Sequence, residues 1–177
     1  RHYRRLVGLV EEARGQGAEV VPLSSSENPD AATRRIPPVA LMNVTPDMQV
    51  MQEEIFGPLL PVVPYRDLDE AIRYVNARPN PLALYYFDQD RGRIDHVLEQ
   101  TLSGGVTIND TILHIAQDSL PFGGVGESGK GHYHGYEGFE AFSKKKAVFF
   151  QSRLNGMGLF KPPYGKVFER MVKLLTR

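Results

Sequence analysis

The segment LALYYFDQDRGRIDHVLEQTLSGGVTIN, residues 82–109, contains two predicted strands and one predicted helix. Residues 82–87 and 105–109 are short apolar runs rich in aromatic and β-branched side chains, which favour strands. Residues 91–101 have apolar positions at helical spacing. The side chains expected to face inward from that helix are Ile94, Val97 and Leu98. A strand, a helix and a strand with short links are typical of a right-handed crossover, so the sequence predicts an α/β fold with a parallel sheet.

The preceding residues continue the same alternation towards the amino terminus. Residues 59–65 predict another strand, and Asp67 is expected to cap the helix that follows, with Glu70 at the capping-box position. The buried face of that helix is expected to contain Leu68, Ala71, Ile72 and Val75. Nearer the amino terminus, the pattern predicts a helix ended by Gly15 and Gly17, strands at 18–21 and 39–45, and a proline-rich surface loop at 22–38.

A glycine-rich stretch, LPFGGVGESGKGHYHGYEGFEAF, occupies residues 120–142 and holds seven of the 17 glycines. Glycine lets a backbone turn tightly and approach a neighbouring segment closely. The aromatic residues that follow have helical spacing, so a loop that leads into a short helix is predicted. Because ligand groups of parallel sheets lie at the carboxyl ends of strands, a site is expected at Asn109, Asp110 and this loop.

Two phosphate-loop patterns fit the glycine-rich stretch by spacing. The dinucleotide pattern G-x-G-x-x-G is matched by Gly124, Gly126 and Gly129. Residues 124–130 match most of a Walker A loop, although Gly131 stands where a Ser or Thr should bind magnesium. Both motifs require a buried strand directly before the loop, whereas residues 117–121 are polar and contain a proline. A phosphate-loop nucleotide-binding module that uses Lys130 is therefore an alternative that the pattern disfavours.

The composition is that of an ordinary soluble globular protein and limits the possible partners. Lys plus Arg and Asp plus Glu are 21 each, so no global charge attracts nucleic acid or an anionic membrane. No apolar run approaches the roughly 18 residues that span a bilayer. The absence of cysteine excludes disulfides and thiol nucleophiles within this sequence and favours a reducing, cytoplasmic setting. Arg1 already lies in a helical pattern, so we expect the chain to be part of a longer protein.

The last third of the chain predicts an extension beyond the sheet. Residues 144–146 are lysines, interpreted as a solvated entrance to a predicted strand at 147–150. A glycine- and proline-rich segment at 151–163 leads to a terminal amphipathic helix. Its apolar side is expected to contain Val167, Phe168, Met171, Val172 and Leu175. A strand and a helix in this position suggest a subunit contact, and packing back onto the chain's own core is the open alternative.

Three motifs occur in a fixed order along the chain: QEEIFGP at 52–58, GGVTIND at 104–110 and LPFGGVGESGKG at 120–131. Together they resemble the aldehyde dehydrogenase superfamily, and the resemblance covers essentially the whole chain. The pairs His114-Ile115 and Tyr133-His134, followed by Gly135, are similar to the class 3-like branch of that family. Within this branch, the EEIFGPLLPVVPY segment and the carboxy-terminal tail look most like the bacterial coniferyl aldehyde dehydrogenases.

The resemblance implies roles for particular residues. Glu54 matches the glutamate that hydrogen-bonds the nicotinamide ribose hydroxyls, and Phe56 matches the aromatic residue beside that ribose. A carboxylate can accept from two vicinal hydroxyls, and a ring can fix one face of a planar cofactor. Phe122 matches the aromatic lining of the aldehyde pocket. The other positions around that pocket are matched by His134, Ile112 and Ile115. No metal site is expected, because no carboxylate or cysteine near the histidines completes a ligand set.

The resemblance also implies a mechanism that this sequence cannot complete. The family oxidises aldehydes with NAD or NADP through a cysteine thiohemiacetal, and a glutamate general base then activates water. The family's cysteine, glutamate and Rossmann-type domain all precede the region that matches Arg1. Residues 1–143 would be the carboxy-terminal part of the catalytic domain, and 144–177 an oligomerisation strand and tail. The expected partners are an aromatic aldehyde of the coniferyl type and a second subunit, most simply in a homodimer, with neither nucleic acid nor membrane. A purely structural oligomerisation piece is the remaining alternative.

Overall fold

The computed structural model of the protein describes residues 1–25 and 29–176. The chain divides into two compact units. The first contains Arg1–Pro79 and Asp95–Thr101, and the second contains Asn80–Ile94 and the residues from Leu102 onward. The predicted loop at 22–38 contains residues 26–28, which lie outside the described residues.

The first unit is built on a three-stranded sheet, in the order β1 (Glu19–Pro22), β2 (Val39–Met42) and β3 (Leu59–Pro61). β1 is antiparallel to β2, and β2 is parallel to β3. β3 ends at Pro61, four residues before the end of the predicted strand at 59–65, and Pro64 in the remaining part offers no N–H for a ladder. β3 pairs with β2 and not with β4. The alternating strands and helices predicted from residue 59 onward therefore do not form one continuous sheet, because β3 and the pair β4 and β5 belong to different sheets.

Helix α1 (His2–Gly15) covers this sheet with a face whose buried side chains are Leu6, Leu9 and Ala13. Ala13 packs in one buried cluster with Leu41, Met48 and their neighbours. Leu6 and Leu9 form a second cluster with Leu59, the first residue of β3. The helix ends at Gly15, and Gly17 has a φ of 100°, which glycine adopts without steric cost.

Helix α2 (Leu68–Asn76) begins at the predicted cap. The Asp67 carboxylate accepts the backbone N–H of Glu70 at 2.8 Å. The Glu70 carboxylate accepts the backbone N–H of Arg66 at 2.9 Å, one residue before the cap. Ile72 is buried, and the other members of the predicted face are half-buried, which confirms the predicted orientation of this helix.

The second unit contains two parallel strands, β4 (Ala83–Tyr86) and β5 (Gly105–Ile108), with Ala83 opposite Gly105. The intervening helix α3 (Arg91–Gln100) is shared between the two units. Ile94 and Val97 are buried as predicted, but Leu98 is 41% exposed, so that prediction is wrong. The buried stripe of α3 is narrow, and Leu98 lies at its edge.

The rest of the second unit is loop-rich. The glycine-rich stretch leads into the short helix α4 (Gly135–Ala141), as predicted, and the chain continues to helix α5 (Lys166–Leu175). Within the described residues, no strand forms at 147–150, so the predicted strand is wrong for the single chain. A strand needs a neighbouring strand for its backbone hydrogen bonds, and no strand of residues 1–25 or 29–176 pairs with this segment. In the part of the chain that is described, no helix has both the length and the apolar character needed to cross a membrane.

Candidate functional site

The residues that precede β3 form an exposed turn, residues 53–57, named here the EEIFG turn. Phe56 has a φ of 48°, which is unusual for a bulky side chain, and the residue is 72% exposed. Gly57 follows, and a Cβ at that position would lie 2.6 Å from Leu6 Cδ1 on α1. The turn therefore lies close against α1 while its aromatic ring faces outward.

The two carboxylates of the EEIFG turn differ in their surroundings. Glu53 forms an ion pair with Arg5 of α1, with 3.3 Å between Oε1 and Nη1. Glu54 is exposed, and within the described residues its carboxylate has no hydrogen bond or ion pair. A carboxylate in this state can accept hydrogen bonds from a ligand without first breaking contacts of its own. The EEIFG turn therefore offers an unengaged hydrogen-bond acceptor and an exposed aromatic ring at neighbouring positions.

An aromatic group in the second unit brings together two of the predicted pocket residues. Phe122 and Tyr133 exchange backbone hydrogen bonds of 2.8 and 2.9 Å, which hold the two ends of the glycine loop together. The ring of Phe122 stacks with that of His134, with 6.1 Å between centroids. Phe122 also contacts the edge of Tyr133 at 5.4 Å. His134 Nδ1 is buried and has no hydrogen-bond partner among the described residues.

The other predicted pocket residues lie on the turn that follows β5. Ile112 has a φ of 65° and is 60% exposed. Ile115 is half-buried, and its backbone N–H donates to the Ile112 carbonyl at 2.8 Å. This turn carries apolar side chains of the kind that line ligand pockets.

His114 is the residue of this region whose position the sequence did not predict. Its side chain is buried between the rings of Tyr85 and Phe122, which lie 6.0 and 6.2 Å away. Its Nδ1 atom lies 2.8 Å from Thr107 Oγ1. A Cβ at Gly105 would lie 2.9 Å from His114 Nε2, so the glycine that begins β5 makes room for the imidazole. The sequence signal that could have indicated this burial was a glycine in a predicted strand, Gly105, followed by a histidine after the next turn.

A polar cluster ties together the carboxyl ends of β4 and β5. Both oxygens of the Asp88 carboxylate accept from the Arg93 guanidinium at 2.6 Å, and the Tyr86 hydroxyl donates to it at 2.8 Å. The hydrogen bonds from Arg93 hold the pKa of Asp88 far below its ordinary value. The Asn109 amide exchanges bonds of 2.9 and 2.8 Å with the backbone of Asp88. Asn109, predicted at the ligand-binding edge, is therefore engaged in joining the two strands.

The Asp88 cluster predicts a change in acid stability. A native pKa below the ordinary value of 3.8 means that the charged carboxylate stabilises the native state. This contribution is fully present above the ordinary pKa and is lost as the pH falls through the lowered native pKa. Asp88→Asn should therefore lose less stability than the original chain between about pH 5 and pH 2, as measured by urea unfolding.

Asp47→Asn is the matched control for this measurement. Asp47 is exposed, and its carboxylate has no hydrogen bond or ion pair within the described residues. The free energy of unfolding of Asp47→Asn should fall between about pH 5 and pH 2 as much as that of the original chain. The same dependence in Asp88→Asn would contradict the assignment of the acid-labile contribution to Asp88.

The geometry of the glycine loop shows that the phosphate-loop interpretation is wrong. Among the described residues no strand lies directly before the loop, since β5 already ends at Ile108. A 3₁₀ turn (Gly126–Ser128) follows the first glycines, and α4 begins only at Gly135. A Cβ at Gly124 would overlap the Ser128 carbonyl, and one at Gly123 would overlap the Gly131 oxygen. These glycines face backbone of the same loop, because the loop folds tightly onto itself.

Comparisons with known proteins agree with the motifs in the sequence. The sequence model described as "Aldehyde dehydrogenase family" matches residues 1–148. A probable coniferyl aldehyde dehydrogenase of Pseudomonas aeruginosa is 54% identical over 178 residues, which cover 100% of this chain and 37% of the relative. A dimeric NADP-preferring aldehyde dehydrogenase of Canis lupus familiaris is 45% identical, with coverage of 98% and 36%.

One solved structure, the substrate-bound state of Staphylococcus aureus AldH, superposes with a TM-score of 0.77 at 40% identity. The superposition covers 98% of this chain and 37% of that chain. The chain thus spans little more than a third of the length of the relatives that it matches.

Proposed function

The chain belongs to the aldehyde dehydrogenase family, and from this premise we propose that it forms the carboxy-terminal third of an enzyme that oxidises an aldehyde to a carboxylic acid. The observation that carries the proposal is the pair formed by the Glu54 carboxylate and the Phe56 ring. Both are exposed on one short turn, and no described residue engages that carboxylate. They offer an acceptor and an apolar face at adjacent positions, which suits a nucleotide sugar.

In the proposed enzyme, these two residues hold the nicotinamide end of NAD or NADP. The Glu54 carboxylate accepts hydrogen bonds from the two vicinal ribose hydroxyls. The Phe56 ring packs against the ribose and limits its orientation. When bound, the cofactor supplies the acceptor for the hydride that the aldehyde loses on oxidation.

The proposed aldehyde pocket uses Phe122, His134, Ile112 and Ile115. The first two are already stacked on each other in the second unit. Ile112 and Ile115 share one turn and add apolar surface. Aromatic and aliphatic side chains favour an aromatic substrate, and the coniferyl type is proposed because several relatives carry that name.

The catalytic groups of the proposed enzyme lie outside this sequence. The family's chemistry requires a thiolate that attacks the aldehyde to give a thiohemiacetal, and this sequence contains no cysteine. The glutamate that activates water for the second step is likewise proposed to lie outside residues 1–177. The role of the chain is to bind and orient the cofactor and substrate.

Residues 144–177 are proposed to form a contact between subunits of a homodimer in the cytoplasm. Phe149, Phe150 and Leu154 are 85%, 88% and 93% exposed in the single chain. Large apolar side chains clustered in this way mark surfaces that another chain covers. A partner strand beside residues 147–150 would also supply backbone hydrogen bonds that the described residues of the single chain do not give to this segment.

The proposal is tested by assaying the complete protein and the 177-residue chain in parallel. Formation of reduced nicotinamide is followed with NAD and with NADP, on aromatic and short aliphatic aldehydes. We expect the complete protein to oxidise aromatic aldehydes, and the 177-residue chain to give no more than the background rate. An inactive complete protein would overturn the proposed function, and an active 177-residue chain would overturn the placement of the catalytic groups.

A further inference from the structure

The first turn of α1 binds three successive backbone carbonyls of the EEIFG turn. Arg5 donates from Nη1 to the Glu54 carbonyl at 3.3 Å and from Nη2 to the Ile55 carbonyl. His2 Nε2 lies 2.7 Å from the Phe56 carbonyl and must carry the proton, because a carbonyl only accepts. His2 and Arg5 are three residues apart, so one turn of the helix presents both.

We propose that Arg5, assisted by His2, is a positioning residue for the nicotinamide cofactor. The inference deepens the proposed function and rests on it, because it assigns a purpose to contacts at the proposed ribose site. Neither side chain is required to touch the cofactor. Each binds the backbone that carries Glu54 and Phe56, and so fixes where the carboxylate and the ring are presented.

The conformation of the turn explains why it needs such support. Phe56 is held at a φ of 48°, which a bulky L-residue rarely adopts unless its surroundings impose it. The contacts that impose it are the hydrogen bonds from His2 and Arg5 and the close packing of Leu6 on Gly57. Without the guanidinium, the carbonyls of Glu54 and Ile55 lose their donors, and the turn is free to relax.

Arg5 also distinguishes the two neighbouring carboxylates. Its Nη1 atom lies 3.3 Å from the Glu53 carboxylate, so the charge of Glu53 is paired within the chain. Glu54 remains as the carboxylate of the pair without a partner among the described residues. One guanidinium thus holds the backbone and leaves a single acidic side chain for the ribose. The planar fork of arginine suits this double task, which a lysine ammonium cannot reproduce.

The test compares substitutions at Arg5 in the complete protein. Arg5→Met keeps the length of the side chain but removes all of its donors, and Arg5→Lys keeps the charge without the fork. We expect Arg5→Met to raise the KM for the cofactor at least ten-fold, with the aldehyde KM changed less than two-fold. Arg5→Lys should give an intermediate increase. A purely structural role would instead lower kcat and thermal stability without distinguishing cofactor from aldehyde, and that pattern would overturn the proposal.

Arg4→Met is the matched control, since Arg4 lies on the same turn of α1, is exposed and makes no hydrogen bond or ion pair with the described residues of the EEIFG turn. Its kinetic constants should stay within two-fold of the original values.

Amide hydrogen exchange of the 177-residue chain separates this inference from the proposed function. Exchange in residues 53–57 should accelerate in Arg5→Met and not in Arg4→Met. If exchange in Arg5→Met is faster but the complete protein oxidises no aldehyde, the anchoring role of Arg5 is supported and the proposed function is refuted. Unchanged exchange together with an unchanged cofactor KM would refute the role of Arg5.

Discussion

Replacing Glu54 with glutamine in the complete protein is expected to raise the KM for the nicotinamide cofactor about 10- to 100-fold. Hydrogen bonds to a charged group are worth roughly 1.5–3 kcal/mol, and each 1.4 kcal/mol is a factor of about ten. Glutamine keeps the size of the side chain but replaces one acceptor oxygen with a donor and removes the charge. The KM for the aldehyde should change little, because the proposed aldehyde pocket uses other side chains.

Glu53→Gln is the control for this experiment. Glu53 is a glutamate directly before Glu54 in the sequence, but its carboxylate is paired with Arg5. A half-exposed ion pair of this kind contributes about 0–1 kcal/mol, so the cofactor KM should rise by no more than about five-fold. If Glu53→Gln were as damaging as Glu54→Gln, the assignment of the ribose contact to Glu54 alone would be wrong.

Substituting Gly124 with alanine is expected to produce the largest loss of stability, about 3 kcal/mol or more. The added methyl group would overlap the Ser128 carbonyl and the Gly129 nitrogen, which are backbone atoms that cannot move without unfolding the loop. Overpacking of a dense region typically costs 1–3 kcal/mol when side chains can adjust, so a backbone obstacle should lie at or above the upper end of that range. Urea unfolding of the 177-residue chain measures the difference.

Gly131→Ala is the matched comparison within the same loop. Gly131 has a φ of 77°, but no described residue other than its chain neighbours has an atom within 4 Å of a Cβ at that position. Only the backbone conformation is penalised, at about 1–2 kcal/mol. An equal cost at the two positions would indicate that the loop is loosely packed, which would contradict the close approach of its two sides.

The elements that the sequence predicted well are those specified by nearby residues. Asp67 caps α2 because the acceptor and the Glu70 N–H lie three residues apart. The glycine-rich stretch leads into α4, because the aromatic residues at its end have helical spacing. Such signals act within one or two turns of chain, so they are visible without the rest of the fold.

The features that the sequence did not predict depend on residues far apart in the chain. The pairing of β3 with β2 joins segments about 20 residues apart, and the apolar pattern of either strand does not identify its neighbour. The contact between Arg5 and the EEIFG turn spans about 50 residues, and neither motif contains a local signal for the other. The segment 147–150 has no partner strand within the described part of the chain, and its own residues could not indicate this, because strand formation depends on a second segment.

In the candidate site, too, residues within short motifs could be predicted, whereas contacts between distant segments could not. Glu54, Phe56 and Phe122 could be selected by family resemblance, since each lies within a short motif. The difference between Glu53 and Glu54 became visible only with the position of Arg5. The burial of His114 against Gly105 and Thr107 likewise requires the path of the turn after β5.

A structure of the complete protein with its bound nicotinamide cofactor tests the central claim most directly. The distances to measure join the Glu54 carboxylate oxygens to the two hydroxyls of the nicotinamide ribose. We predict both at about 2.6–3.2 Å, with the Phe56 ring against the same ribose. A ribose bound through Glu53, or one that contacts neither residue of the EEIFG turn, would contradict the account.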